Sequence, residues 1–122
     1  ITASVAAHDD VYDVTYLDFR GGQFTVPRNS LPIGRKVRLR VVARDVSLTL
    51  ERQTGTSILN ILSATVTDIV TDEQPEVMVR LDAGGVSLLS RITRKSASQL
   101  NLICGQSVYA QIKGIALLAD SK

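Results

Sequence analysis

Hydrophobic and polar residues alternate with a period of two along much of this 122-residue chain. Tyr12, Val14 and Tyr16 alternate with Asp13 and Thr15, and Val77, Val79 and Leu81 with Glu76, Met78 and Arg80. Val108, Ala110 and Ile112 alternate with Tyr109, Gln111 and Lys113. Successive side chains of an extended strand point to opposite faces, so each run predicts a strand with one face toward a core. Arg35, Lys36, Arg38, Arg40 and Arg44 interleave with Val37, Leu39 and Val41 in the same way, which predicts the solvent face of a single strand.

Turn formers punctuate these runs at Gly21-Gly22, Pro27-Arg28-Asn29-Ser30, Pro32-Ile33-Gly34, Asp72-Glu73-Gln74-Pro75 and Gly84-Gly85. Short strands with turns at this spacing predict an all-β barrel or sandwich. One short helix is expected from about Lys95 to Leu100, with Thr93 or Arg94 just before it and Leu100 and Leu102 packing it down. The polar stretch Arg52-Gln53-Thr54-Gly55-Thr56-Ser57 lacks strand periodicity and predicts a boundary. Residues 1–53 would form one β half and residues 54–122 a second, joined along an edge. No internal sequence repeat is evident.

Composition narrows the reading. Hydrophobic residues make up 44% of the chain but aromatics only 4%, with no Trp, so the core must be aliphatic. A net charge of +2 is too small to imply a nucleic-acid partner. Cys104 is alone, which excludes an intramolecular disulfide and a thiolate metal site. Its apolar neighbours Leu102 and Ile103 suggest a small buried hydrophobe, and one thiol suits a reducing cytoplasm. No apolar run reaches the length of a membrane span, so direct membrane insertion is not expected. The chain begins on Ile rather than Met, as a fragment would.

The usual catalytic arrangements do not assemble. A nucleotide site needs a Gly-rich loop ending in Gly-Lys-Ser/Thr, and neither Gly21-Gly22-Gln23 nor Gly84-Gly85-Val86 supplies one. Arg20-Gly21-Gly22-Gln23 faintly resembles the signature loop of ABC ATPases, but it lies between strands with no helix after it and reads as a hairpin turn. His8 is the only His, in the stretch His8-Asp9-Asp10, where a solvent-exposed loop is favoured over a weak metal site. One His near the terminus cannot complete a Ser-His-Asp set, so no enzyme is expected within these residues.

Three segments are instead rich in hydroxyl and amide donors: Thr56-Ser57-Ile58-Leu59-Asn60, Ile92-Thr93-Arg94-Lys95-Ser96 and Gln111-Ile112-Lys113-Gly114. Several convergent neutral donors and one cation are the equipment that a tetrahedral oxyanion requires. On residue type alone the plainer reading is favoured: Thr93 caps a helix, Ser57 and Asn60 form turns, and Lys113 is solvated.

From Thr56 to Leu118 the chain resembles the molybdate-binding "mop" domain of the molbindin type. Thr56-Ser57 followed by Asn60, then Val66 and Ile69, Ile92-Thr93 with Ser96, Leu100-Asn101-Leu102, Gly105, Val108, Ala110 and Ile112-Lys113 carry the resemblance. Gly34 to Arg40 and Ala43 to Leu48 resemble the strands that join the ATPase domain to the mop part in molybdate transporter ATP-binding subunits. The resemblance implies an OB-like β-barrel of the mop/TOBE type, with an N-terminal β half sharing its sheet. It also implies oxyanion pockets at the contact between two such domains. Ser57, Asn60, Thr93, Ser96 and Lys113 would touch molybdate or tungstate, helped by backbone N–H groups near Ser57 and Thr93. No cofactor is implied; ATP and Mg²⁺ would belong to the ATPase domain alone. The implied partners are a second copy and, through the parent chain, the permease at the cytoplasmic side of a bacterial inner membrane. Ile58-Leu59 stand where molbindins commonly carry Arg, a charge-assisted donor worth on the order of 1.5–3 kcal/mol, or about one to two decades in affinity.

Two other functions fit less of the chain. A ligand-free dimerisation domain would need no anion contacts. A nucleic-acid-binding barrel would need stacking aromatics on one face, where only Tyr12 and Tyr16 fall together among Phe19, Phe24, Tyr12, Tyr16 and Tyr109.

Overall fold

A computed structural model describes residues 1–71 and 74–118. The strands in chain order are β1 (Thr2–Asp9), β2 (Val14–Phe19), β3 (Gly22–Pro27), β4 (Lys36–Arg40), β5 (Val46–Thr49), β6 (Asn60–Val70), β7 (Glu76–Ala83), β8 (Val86–Thr93), β9 (Ser107–Ile112) and β10 (Ala116–Leu118). One 3-10 turn, Ala43–Asp45, and one helix, α1 (Arg94–Gln99), complete the described elements. The strands form two five-stranded antiparallel sheets, ordered β10-β4-β1-β2-β3 and β5-β9-β6-β7-β8. The architecture is the all-β, OB-like one with a single short helix that the strand pattern and the resemblance imply.

The two sheets follow one plan. In the first, Val5 accepts from Gly34 N–H at 2.7 Å and donates to the Arg35 carbonyl at 2.9 Å; in the second, Val66 does the same with Gly105 and Gln106 at 2.7 and 2.9 Å. Gly34 and Gly105 share a φ of 88°, a left-handed conformation that favours glycine. Both first strands bulge just after these valines, between Val5 and Ala7 and between Val66 and Asp68. Both following hairpins turn in two residues, Arg20-Gly21 and Gly84-Gly85. Thus β1, β2, β3 and β4 match β6, β7, β8 and β9. The repeat is one of backbone pairing, and the side chains have diverged too far for it to be seen in the sequence.

Each half completes the other's sheet. β5 follows β4 in the chain yet pairs with β9, through Leu48 and Ala110; β10 follows β9 yet pairs with β4, through Leu117 and Leu39. The second sheet is further tied across its outer strands by the buried Ser90 hydroxyl, which donates to the Val46 carbonyl. Rows of matched residues build the aliphatic core: Val5, Leu17 and Phe24 in one half, and Val66, Leu81 and Leu88 in the other, all buried. The hairpin tips meet backbone to backbone. A Cβ on Gly21 would lie 2.3 Å from the Ala83 carbonyl oxygen, and one on Gly84 would lie 2.8 Å from the Gly21 Cα.

Several expectations hold and several need correction. Lys36, Arg38 and Arg40 are exposed while Val37 and Leu39 are buried, as the solvent face of one strand requires. Leu100 and Leu102 pack α1 against the core. The face of β2 is the opposite of the one expected. Thr15 and Leu17 point inward, while Tyr12 lies in the turn with 77% of its surface exposed. Both faces of Val14–Phe19 carry apolar residues, so alternation alone could not choose; the row Val5–Leu17–Phe24 decides. Cys104 is exposed rather than buried, because it sits in the turn that ends at Gly105. Of the turn expected at Asp72-Glu73-Gln74-Pro75, the first two residues lie outside the described residues.

His8 is held in strand β1 rather than in an exposed loop. Its Nε2 donates to the Leu31 carbonyl at 2.7 Å, and its Nδ1 is hydrogen-bonded to the Thr15 hydroxyl at 2.8 Å. Thr15 Oγ1 in turn accepts Asn29 N–H at 3.1 Å. These bonds fasten the β3–β4 loop to the sheet. The matched positions in the second half are Ile69 and Val79, an apolar pair needing no such network.

Asp9 organises the β1–β2 turn. One carboxylate oxygen accepts the Val11 and Tyr12 N–H groups and the other accepts the Tyr16 hydroxyl at 2.9 Å. The Tyr12 N–H, then the Tyr16 hydroxyl, lower the Asp9 pKa below its ordinary 3.8, and the bond to Asp9 raises Tyr16 above 10.0. The lowered carboxyl stabilises the fold above pH 3.8 and loses that contribution as pH falls through its folded pKa. The raised phenol contributes fully below pH 10.0 and loses it as pH rises through its own folded value. Denaturant unfolding across pH should therefore show Asp9→Asn flattening the acid limb and Tyr16→Phe the alkaline one. Gly21→Ala should lower stability by roughly 1–3 kcal/mol, because neither backbone at the hairpin contact can yield; an unshifted unfolding midpoint would refute the contact.

Candidate functional site

The segment between β5 and β6 is exposed and irregular until Thr56, whose hydroxyl accepts Ile58 N–H at 3.1 Å and turns the chain. β6 then starts at Asn60, paired with Ile112 at the end of β9. Ile112 is the last inward residue of β9, so Lys113 emerges exposed beside the start of β6. Lys113 N–H donates to the Asp45 carbonyl at 2.9 Å, which fixes its backbone against the end of the 3-10 turn.

Asn60 reaches across to the other half. Its Oδ1 accepts Thr25 N–H at 2.7 Å and its Nδ2 donates to the Thr25 carbonyl at 3.0 Å. One carboxamide thus satisfies both edge-facing backbone groups of a β3 residue, as a neighbouring strand would. Pro27 ends the same edge without an N–H to satisfy. Asn60 is buried at 9% exposure, and its second Nδ2 hydrogen remains for another acceptor.

Thr25, Ser57, Ile58, Leu59, Asn60, Ile112 and Lys113 together line a cleft of about 250 Å³. It brings three of the five expected residues, Ser57, Asn60 and Lys113, to one place at the junction of the two halves. Thr25 is the residue that sequence reasoning missed; it lies in the half outside the mop-like segment, and only the reach of Asn60 reveals it. Among the described residues Lys113 has no carboxylate within ion-pairing distance. The nearby acid is Asp45, whose Oδ2 lies 3.1 Å from where a Cβ would stand on Gly114. Leu59 is 67% exposed at the rim. A cleft with hydroxyl and amide donors and one free ammonium suits a small anion.

Thr93 and Ser96 stand apart from this cleft. Thr93 caps α1, its hydroxyl accepting Ser96 N–H at 3.1 Å and donating to Ser96 Oγ at 3.1 Å. Ser96 lines a separate cleft of about 220 Å³ with Ser47, Leu48, Ile92, Gln99 and Leu100. No group of three or more His, Cys, Asp or Glu residues that could hold a metal occurs among the described residues. Of the aromatics that nucleic-acid stacking would use, Tyr12 lies exposed in the β1–β2 turn, Tyr16 is bonded through its hydroxyl to Asp9, and Phe19 stacks at 4.1 Å on the buried Phe24. No helix among the described residues is long and apolar enough to cross a membrane.

Comparison with known proteins agrees with this architecture. The chain is 51% identical over 115 residues to the molybdenum import ATP-binding protein ModC of Albidiferax ferrireducens, covering 94% of this chain and 31% of that protein. It is 46% identical over 122 residues to the protein of the same name from Pseudomonas aeruginosa, covering 98% of this chain and 34% of that one. The chain therefore spans about a third of the length of these relatives. Among solved structures it is similar to the cytoplasmic molybdate-binding protein ModG in a molybdate-bound form, at 28% identity and a TM-score of 0.78, with 95% of this chain and 92% of that one covered. Residues 56–118, more than half the chain, match the TOBE domain, and this protein belongs to the TOBE-domain family.

Proposed function

We propose that this chain is the regulatory oxyanion-binding region of a molybdate importer's ATP-binding subunit, taking molybdate in the cleft between β3, the start of β6 and the end of β9. The observation that carries the reading is the convergence of Ser57, Asn60 and Lys113, with Thr25 opposite, on one cleft. The cleft, about 250 Å³, has room for a small tetrahedral anion. Ser57 and Thr25 would donate hydroxyl bonds, Asn60 its remaining amide hydrogen and Lys113 its charge. The relatives named for molybdenum import and the molybdate-bound ModG support molybdate as the anion. Tungstate has the same charge and shape and would enter the same cleft.

The remaining roles extend beyond these residues. ATP hydrolysis and its Mg²⁺ would belong to the part of the subunit outside this chain, and contact with the permease would run through that part at the cytoplasmic face of the inner membrane. A second copy of the chain would pair with the first, and Thr93 and Ser96, which do not line this cleft, would then meet the anion held by that copy. Regulation requires that the anion bind one arrangement of the paired subunits better than the other.

One observation favours a second reading, a ligand-free pairing domain: the Asn60 carboxamide already serves Thr25, and this adds to the Ile58-Leu59 pair standing where the resemblance leads one to expect an Arg. Calorimetric titration with molybdate, with sulfate as control, separates the two. Saturable heat for molybdate alone, weakened about ten- to a hundredfold by Lys113→Ala, supports the sensor. A flat titration supports the pairing domain. Leu59→Arg should strengthen binding by about one to two decades, since the exposed rim position lets a guanidinium reach the cleft without being buried. Asn60→Ala should lower stability by about 1–3 kcal/mol through the two unpaired Thr25 groups, measurable by urea unfolding without any anion.

A further inference from the structure

The internal repeat sets the same cleft on the outer face of each sheet. In the first half Ser4 pairs with Asp18 of β2 on one side and Lys36 of β4 on the other; in the second Thr65 pairs with Asp82 of β7 and Ser107 of β9. Thr2, opposite Arg38, matches Ser63, opposite Tyr109. The first residues of the two hairpin turns, Arg20 and Gly84, stand at the same end of each. Thr2, Ser4, Asp18, Arg20 and Lys36 line a cleft of about 340 Å³, while Ser63, Thr65, Asp82, Gly84 and Ser107 line one of about 430 Å³. All of these matched positions lie within the described residues. The hydroxyls and the carboxylate are kept in both, and the difference is charge: Arg20 and Lys36 stand where the second half has Gly84 and Ser107.

We propose that the first of these clefts is a binding site for inorganic phosphate, separate from the β3 cleft. Among the described residues neither Arg20 nor Lys36 has a carboxylate within ion-pairing distance. Arg20 is held in place by packing, because its guanidinium lies over Gly85, where a Cβ would come 2.9 Å from Nε and 3.0 Å from Cζ. Two cations and the Thr2 and Ser4 hydroxyls can replace the hydration of a tetrahedral anion. Asp18 decides which anion that is. Its Oδ1 accepts the Gln23 Nε2 at 2.9 Å, which leaves Oδ2 for a ligand. An ionised carboxylate can only accept hydrogen bonds. Near neutral pH inorganic phosphate keeps at least one proton on oxygen and can donate it to Asp18. Sulfate and molybdate keep none, so their oxygens would meet the carboxylate as like charges. The second cleft keeps the acceptor, Asp82, but no Lys or Arg among the described residues lines it, and it serves as the internal control.

Amide NMR shifts of the isotope-labelled chain, followed as inorganic phosphate or sulfate is added at fixed ionic strength, test the proposal. Phosphate should give saturable shifts centred on Thr2, Ser4, Arg20 and Lys36, with an affinity about tenfold or more above that of sulfate. Lys36→Ser, which gives the first cleft the residue of the second, should weaken phosphate by about tenfold or more. Asp18→Asn, which removes the repelling charge, should bring sulfate to within about threefold of phosphate. Both positions are exposed, and unchanged thermal unfolding without anion shows that each variant keeps the fold. Lys113→Ala should leave the phosphate response as it is. The proposal is overturned by no saturable shift with phosphate, by shifts centred on Lys113 instead, or by sulfate binding as tightly as phosphate in the unaltered chain. Phosphate binding undiminished in Lys36→Ser, or sulfate still excluded from Asp18→Asn, overturns it as well. None of these outcomes bears on molybdate in the β3 cleft, which the calorimetric titration decides.

Discussion

The constraint on which the rest depends is the exchange of two short strands. β5 and β10 each complete the sheet of the half that did not produce them. Neither half can therefore pair all its strands alone, although each carries a full row of core residues. β10 has only three residues and all of them are exposed, so its contribution is backbone pairing to β4 rather than buried area. The residues from Arg52 to Gly55 are exposed, and the sheets place Val46–Thr49 with the later strands and Ala116–Leu118 with the earlier ones.

That exchange brings the cleft together. β9 lies between β5 and β6, which sets Lys113 beside Asn60, and the approach of the halves puts the β3 edge within reach of the Asn60 carboxamide. A free edge would otherwise expose unpaired N–H and C=O groups. Asn60 covers one residue of it and Pro27 has no N–H there to cover. The cleft lies where this edge is closed by a side chain rather than by a strand, since a side chain leaves room beside it that a strand would fill.

Much of the fold was legible because alternation decides strands wherever one face is clearly apolar. Val77, Val79 and Leu81, or Val108, Ala110 and Ile112, could face only inward, and they do. β2 was not legible, because Leu17 and Phe19 on one face compete with Val14 and Tyr16 on the other, and a polar residue, Thr15, holds a buried place through its bonds to His8 and Asn29. The repeat was hidden for a related reason. Its signature is a bulge, two glycines with the same φ and a pair of hydrogen bonds, and the positions around them exchange His8 for Ile69 and Thr15 for Val79. Of the site, Ser57, Asn60 and Lys113 were readable as donors at a strand start and a strand end. Thr25 was not, because nothing local marks a residue whose role comes from a partner 35 positions away.

The position of the cleft also bears on how a bound anion could act at a distance. An anion held by groups of one half alone would have equal affinity for every arrangement of the two halves, and such a ligand shifts no equilibrium however tightly it binds. On the proposed reading, Thr25 would come from the first half and Ser57, Asn60 and Lys113 from the second, so the donor set would be complete only when β3 lies against β6. Asn60 fixes that approach with two bonds of its own. A bound anion would then add to a geometry already favoured, and what it would oppose is loosening of the β3 edge from β6. A regulatory effect must therefore pass through whatever surface moves when that edge loosens. The hairpin tip at Gly21, next to the start of β3, is seated against Ala83 and Gly84 of the other half, so loosening of that edge would also disturb this backbone contact.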